Sequence, residues 1–329
     1  MTPKLSRPLL LALSGGALVG LLTVLQSHTN GSLGRSLGDG YVGAALSFLI
    51  GSLLVVIGMV FSRSARSGVR VILTEARSGR LPWWALTGGL GGAAFVLSQG
   101  VAVGLIGVAL FTVGSIAGQI LGGLLLDRAG VGPSGKIMLT VPRVLGTVLA
   151  IAAVLLSVMG DLGGVGRSVL LVIVPLLSGA LIAWQVAVNG LAQAAGRSAL
   201  AAAFVNFAVG SVVICLAAGI SIVVNGWPTA WPSDPWVYLG GPASVAIVAL
   251  LAVLVRHAGV LVLSMANVAG QLIAALVFEA WMPLTGGATP WMIAGSAVAL
   301  LAVAVAALPG RRGGADPGAG SKRQAAAVR

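Results

Sequence analysis

Apolar residues run along this chain in blocks of about 20, the length of helix that crosses a hydrocarbon core of about 30 Å. Ten blocks can be marked, roughly at 8–28, 40–62, 82–103, 105–127, 141–160, 168–190, 198–224, 235–256, 258–281 and 290–308. Each predicts one membrane-spanning helix. Residues 81–126 carry no charge, so hydropathy alone does not separate the third block from the fourth.

An internal repeat resolves that boundary. Gln26, Asn30, Gly31, Ala44, Phe48, Gly51 and Ser52 return 159 positions later as Gln185, Asn189, Gly190, Ala203, Phe207, Gly210 and Ser211. Trp84, Gly88, Gly89, Gly107, Ala117, Gly118, Gln119 and Leu124 return 152 positions later as Trp236, Gly240, Gly241, Gly259, Ala269, Gly270, Gln271 and Leu276. Asp127 returns as Glu279. Gly107 therefore stands where the Arg256-His257-Ala258-Gly259 turn stands, and the hidden break is expected at 104–107. The repeat is far too long for a solenoid. It divides the chain into a first five-helix repeat (1–164), a second (165–308) and a basic tail (309–329). Five spans is an odd number, so the second copy enters the membrane from the opposite side. The expected fold is an all-α integral membrane protein, ten transmembrane helices arranged as a 5+5 inverted-topology repeat.

Composition agrees with a bilayer as the main partner. The chain is 58% hydrophobic and 8% charged, against about 25% charged in soluble domains. A net charge of +12 is compatible with nucleic-acid binding, but its placement points elsewhere. With the N-terminus in the cytosol and ten spans, seventeen Lys and Arg lie inside and only Arg35 and Arg167 outside. This positive-inside asymmetry predicts a multi-pass bacterial cytoplasmic-membrane protein with both termini cytosolic and no nucleic-acid partner. Lys4 and Arg7 precede a first block with no small-x-small cleavage site after it, so that block reads as a retained span. Residues 63–81 read as a basic cytoplasmic loop, and 225–235, with Trp227 and Trp231, as a stiff external one. Residues 309–329 read as a disordered tail. Cys215, the single cysteine, permits no intramolecular disulfide and reads as a small apolar packer.

Candidate chemistry follows the repeat. Gly114, Gly118 and Gly122 put small residues on one face of the fourth span, and Ala266, Gly270 and Ala274 do so in the ninth. That is a helix-packing pattern. Gln119 and Gln271 lie beside these faces inside apolar blocks, where an amide needs a partner or a water-filled cavity. Each has a carboxylate eight residues on, about 12 Å along the helix. Asp127 is then expected at the cytoplasmic mouth and Glu279 at the external one, as paired gate carboxylates. Gln26 and Asn30, with Gln185 and Asn189, share helix faces at four-residue spacing. Asn206, Ser115 and Asn267 complete the expected substrate pathway; helix–helix hydrogen bonding is the competing role for all of these amides and hydroxyls. His28 and His257 sit at span ends and read as interfacial rather than metal-binding. No catalytic constellation, metal set or nucleotide loop is evident, so neither enzymatic activity nor a cofactor is expected.

These residues resemble the YdcZ-like branch of the drug/metabolite transporter superfamily. The resemblance rests on Gln26-x-x-x-Asn30-Gly31, Phe48-x-x-Gly51-Ser52, Ala117-Gly118-Gln119 with Asp127, Pro142-Arg143-Val144-Leu145-Gly146, and the second-half copies Asn189-Gly190, Phe207-x-x-Gly210-Ser211 and Ala269-Gly270-Gln271. It implies a central cavity ringed by spans 1–4 and 6–9, with spans 5 and 10 outside. It also implies movement of a small metabolite, drug or cation by alternating access. Small relatives that exchange protons for cationic drugs use a glutamate in the first span, and residues 8–28 hold no Asp or Glu. The expectation is a secondary transporter or facilitator of an unidentified small molecule. The alternative is a non-transporting membrane subunit that stabilises or regulates a partner. A homodimer is left open.

Overall fold

A computed structural model describes residues 7–308, apart from 134, 137, 160–164 and 259. The described residues are mostly helical, as a backbone surrounded by lipid must be, since hydrocarbon offers no partner to an unpaired amide. Helix α1 spans Arg7–Leu37 and turns at Gly38 (φ 66°) into α2, Gly40–Phe61. Asp39 caps α2, accepting from the Tyr41 and Val42 amides at 2.8 and 3.1 Å. Next comes α3, Arg63–Arg77. A 3₁₀ turn (Trp83–Leu86), α4 (Gly88–Ser98), a π-helical turn (Gln99–Val103) and α5 (Gly104–Ile106) then form one continuous apolar path. It ends where the repeat places the break: Gly107 has φ 78° and α6 runs from Val108 to Ala129. Then follow α7 (Val141–Val158), α8 (Val165–Gly196), α9 (Ala199–Asn225), α10 (Gly240–Ala258), α11 (Val260–Trp281) and α12 (Pro290–Ala306). Among the described residues seven helical segments are long and apolar enough to cross a membrane, and Gly240–Leu251 and Pro290–Ala306 are shorter apolar ones. The chain is an all-α membrane protein.

Lipid tails give helices no hydrophobic reason to associate, so association depends on close backbone approach. The glycines supply it, and they do so in matched pairs. A β-carbon on Gly118 of α6 would overlap the Leu176 carbonyl of α8. One on Gly270 of α11 would meet the Ala17 carbonyl of α1 at 2.6 Å. Gly179 is pressed in the same way on the Ser115 carbonyl, and its match Gly20 on that of Asn267. Gly89 lies on the Asn206 carbonyl, and its match Gly241 on the Ser47 carbonyl. Gly122 packs on Ala180, and Ala266 meets Gly16. Every one of these contacts joins residues from the two copies. Two further pairs join a residue to its own repeat mate. Ser52 and Ser211 share a hydrogen bond at 3.0 Å, and the Phe48 and Phe207 rings sit 5.0 Å apart. Helices α7 and α12 pack on each other through Gly146 on Ala302 and Ala306, and Gly295 on Ala153 and Ser157.

The stretch expected as a basic loop is mostly helix. Ser62 caps α3 by accepting from the Ala65 amide at 3.2 Å. Ala65, Gly68 and Ile72 are buried along one face, with Gly68 against Gly196 and Ser198 at the α8–α9 turn. Spacing of i, i+3 and i+7 marks an amphipathic helix, which composition alone obscured. Cys215 is exposed on α9 rather than packed inside. His28 is buried and faces the Phe278 ring at 5.0 Å, so it is not the interfacial residue expected. The tail 309–329, Lys4 and the repeat boundary at 160–164 lie outside the described residues.

Two stability predictions follow from the backbone. Gly118→Ala should destabilise the protein by about 1–3 kcal/mol, because the α8 backbone must move. Gly123→Ala, on the same helix with open space around it, should leave the melting temperature in detergent unchanged. Arg197 has φ 49° at the position matched to Gly38 (φ 66°). A side chain in that left-handed conformation costs about 1–2 kcal/mol, so Arg197→Gly should raise the melting temperature in the same assay.

Candidate functional site

The structure divides the polar residues of the spans into interhelical clasps and unpartnered groups. Asn30 of α1 is fully buried, and its Nδ2 donates to Gln99 Oε1 at 2.7 Å. Gln99 Nε2 donates in turn to Ser27 Oγ at 2.8 Å. Gln99 opens the π-helical turn and is itself fully buried. Such turns often mark functional sites in helices. The sequence reading passed over Gln99, although an amide inside an uncharged stretch was the same signal that drew attention to Gln119. It has no repeat partner, since Leu251 stands at the matched position.

The second copy replaces this clasp with another. Asn189 Nδ2 donates to Asn206 Oδ1 at 3.2 Å. Both copies then use the first glycine of the facing helix. Asn189 and Asn206 press on Gly88, and Asn30 and Ser47 on Gly240, each leaving no room for a β-carbon. Gln185 lies over Gly91 and Gly92, and Gln26 is buried on α1. Six buried side-chain atoms among the described residues have no hydrogen-bond partner in the protein. Four of them are oxygens of residues the repeat singles out: Asn30 Oδ1, Ser115 Oγ, Gln185 Oε1 and Asn267 Oδ1. Gln119 is half-buried and Gln271 buried.

The carboxylates behave differently from one another. Asp127 pairs with Arg143 at 2.6 Å, and its side chain is 36% exposed. Glu279, expected at a mouth, is fully buried. Its Oε2 accepts from the Val108 and Ala109 amides at 2.8 and 3.3 Å, and its Oε1 from Thr285 Oγ1 at 3.0 Å. It therefore caps the N-terminus of α6 from the end of α11. The first amides of a helix lack internal acceptors and present a positive dipole end, so an anion fits there. Gly107 is obligatory, because a β-carbon on it would stand 2.7 Å from both carboxylate oxygens.

Burial along the matched helices α6 and α11 is unequal in a specific way. On α6 the eleven residues from Val108 to Gly118 are all buried, and exposure begins at Gln119. On α11 buried residues are spread along the helix, at Leu263, Ala266, Gly270, Gln271, Leu272, Ala274, Ala275 and Glu279, with Ser264, Ile273 and Val277 exposed between them. The start of α6 lies at the end of α11, where Glu279 caps it, and α6 is buried most completely at that end. Toward Asp127 it keeps only Gly122 buried. Two surface clefts lie beyond these helices. One of about 280 Å³ at the α1–α2 turn is lined by Arg35, Asp39, Tyr41, Ser221 and Asn225. There Asp39 Oδ2 accepts from Ser221 Oγ at 2.6 Å, tying α2 to the end of α9. One of about 440 Å³ under α3 is lined by residues that include Ser64, Ser67, Glu75 and Arg197. Among the described residues no group of three His, Cys, Asp or Glu could hold a metal ion.

The family described as "Putative inner membrane exporter, YdcZ" matches residues 11–156 and 170–307, nearly the whole chain. The chain belongs to this family. A search of curated proteins finds no match. Membership in the YdcZ family agrees with the resemblance of the repeated motifs, and the geometry gives those motifs a physical content. Asn30, Asn189 and the Gly-Ser and Gly-Gly pairs lie at contacts between the two copies. YdcZ is described as an exporter and not as an enzyme, which suits a molecule whose buried polar groups are mostly amides and hydroxyls.

The Asn30–Gln99–Ser27 clasp can be tested directly. Gln99→Leu leaves the Asn30 amide without its acceptor, and an unsatisfied buried donor costs about 1–3 kcal/mol. The variant should unfold earlier in a detergent thermal scan. Leu251→Gln, at the matched site, should give no compensating gain.

Proposed function

We propose that this YdcZ-family chain is a ten-span exporter of 5+5 inverted-repeat design that works by alternating access. The observation that carries the reading is the unequal state of two matched carboxylates: Glu279 is fully buried, and Asp127 is 36% exposed. Two copies of matched sequence, closed at the end of one and open at the corresponding end of the other, are what one conformer of a two-faced transporter requires. Exchanging the roles of the copies would give the opposite conformer, and the contacts of Gly118, Gly179 and Gly89 have the mates it needs in Gly270, Gly20 and Gly241. In the expected topology the sealed end is external and the open end cytosolic, so this conformer would receive a solute from inside.

The solute class follows from the lining. The unpartnered oxygens of Ser115, Asn267 and Gln185 are acceptors, and Gln119 and Gln271 add amides at matched depth. A small polar solute rich in N–H or O–H donors would satisfy them. No Asp or Glu lies within α6 or α11 before the terminal Asp127 and Glu279, so the path recognises hydrogen-bond donors more than net charge.

The test is a substrate-panel thermal-shift screen followed by flux in proteoliposomes, since a ligand that binds the folded state raises its stability. For a solute found in this way, Gln119→Leu and Gln271→Leu should each cut transport about tenfold, the value of one hydrogen bond of about 1.4 kcal/mol. Full flux and affinity in both variants would remove these residues from the site.

A further inference from the structure

Helix α6 has no side-chain cap of its own. It borrows one from the other copy, and the borrowed group is the fully buried Glu279. No Lys or Arg among the described residues pairs with Glu279; the two ion pairs present are Arg80–Glu75 and Arg143–Asp127. Its carboxyl group is therefore held by two backbone amides and a hydroxyl. Such a contact is strong while it excludes water and is replaced by hydration once it opens.

The repeat contains the same parts at the other end. Val260 and Leu261 begin α11 where Val108 and Ala109 begin α6. Asp127 stands where Glu279 stands, and in this conformer it is half-exposed and bound to Arg143. A carboxylate is kept in both copies, although the polar residues nearby diverge, as Gln99 against Leu251 shows. We infer that Glu279 and Asp127 are alternating latches. The sealed end is held by one copy's carboxylate capping the other copy's fourth-span helix, and opening one end frees those amides while the other end closes. In the opposite conformer Asp127 leaves Arg143 and caps α11 at Val260 and Leu261. Glu279 and Asp127 are thus positioning residues for transport, acting through α6 and α11 rather than by touching the solute. The inference rests on the alternating-access reading above.

The experiment uses two reporter cysteines in a Cys215→Ser background. Thr112→Cys lies one turn inside the Glu279 latch, where Thr112 is 4% exposed. Ser264→Cys occupies the matched site on α11, where Ser264 is exposed. Labelling by a membrane-impermeant maleimide is timed from each side, in whole cells and in inside-out vesicles. In the parent, Ser264→Cys should label fast from the cytosolic side and Thr112→Cys slowly from the outside. Glu279→Ala should raise external labelling of Thr112→Cys at least tenfold and lower cytosolic labelling of Ser264→Cys. Asp127→Ala should do the reverse, slowing Thr112→Cys further.

The opposed signs are the decisive readout. If Glu279→Ala makes both sites label faster and lowers the melting temperature, Glu279 is a structural cap only and the latch is overturned. If neither rate moves, it is overturned as well. Glu279→Gln, which keeps an acceptor of the same shape without the charge, should fall between parent and Glu279→Ala; parent-like rates would show that charge is not what holds the latch and would overturn the proposal in this form. Solute flux separates the two readings. Flux with unopposed labelling removes the latch and leaves transport standing, whereas opposed labelling without flux of any panel solute removes transport and leaves the latch.

Discussion

The two copies are held together where one helix backbone lies directly on another. Gly118 on Leu176, Gly179 on Ser115, and their mates Gly270 on Ala17 and Gly20 on Asn267 leave no room for a β-carbon. In lipid this is the main attraction available, because burying leucine against leucine gains nothing over burying it in hydrocarbon. The rest of the architecture depends on it. Helices that approach so closely must be small along a whole face, which explains the four-residue spacing of Gly114, Gly118 and Gly122. The polar residues that flank such a face are then carried to the seam between the copies. Ser115 and Asn267 each lie at the very residue whose carbonyl a facing glycine touches.

A symmetric set of contacts does not impose a symmetric molecule. Packed interfaces tend to have discrete arrangements rather than a continuum, and two matched seams can be tight at only one end each. Here Glu279 is fully buried while its mate Asp127 is 36% exposed. The residues on the repeat's own axis, Ser52 with Ser211 and Phe48 with Phe207, pair with themselves. Such pairs would be unchanged if the roles of the copies were exchanged, which in the proposed alternating-access reading makes α2 and α9 the fixed element. The asymmetric Gln99 clasp, present in one copy only, ties α1 to the π-helical turn of the third span.

Much of this was legible in the chain. Apolar block length marked the helices, and the repeat placed the break at Gly107, where hydropathy is silent. The small-residue faces and the amides beside them were also visible, because recurrence at a fixed offset separates a selected residue from a chance one. Three features escaped for physical reasons. Helix α3 was hidden because its basic composition outweighs the three buried positions Ala65, Gly68 and Ile72. Gln99 was hidden because it is unrepeated. The burial of Glu279 was hidden because position along a helix says how deep a residue sits, not which helix end faces it from across the seam.

The placement of charge along the repeated path constrains what can be moved. A charged solute entering a low-dielectric seam loses its hydration and needs a counter-charge to offset the loss. Helices α6 and α11 offer none between their ends, and both terminal carboxylates are already engaged, Glu279 with backbone amides and Asp127 with Arg143. What they offer instead is acceptor oxygens without donors, each of which is costly to leave unpaired in the interior. A neutral or weakly charged donor removes that cost without introducing a new one. Under the proposed reading, selectivity would come from the amides and hydroxyls, and the carboxylates would act on the conformation. That division of labour would let the same charged residues stand in both copies while the proposed solute-facing residues, Ser115 in one copy and Asn267 in the other, differ.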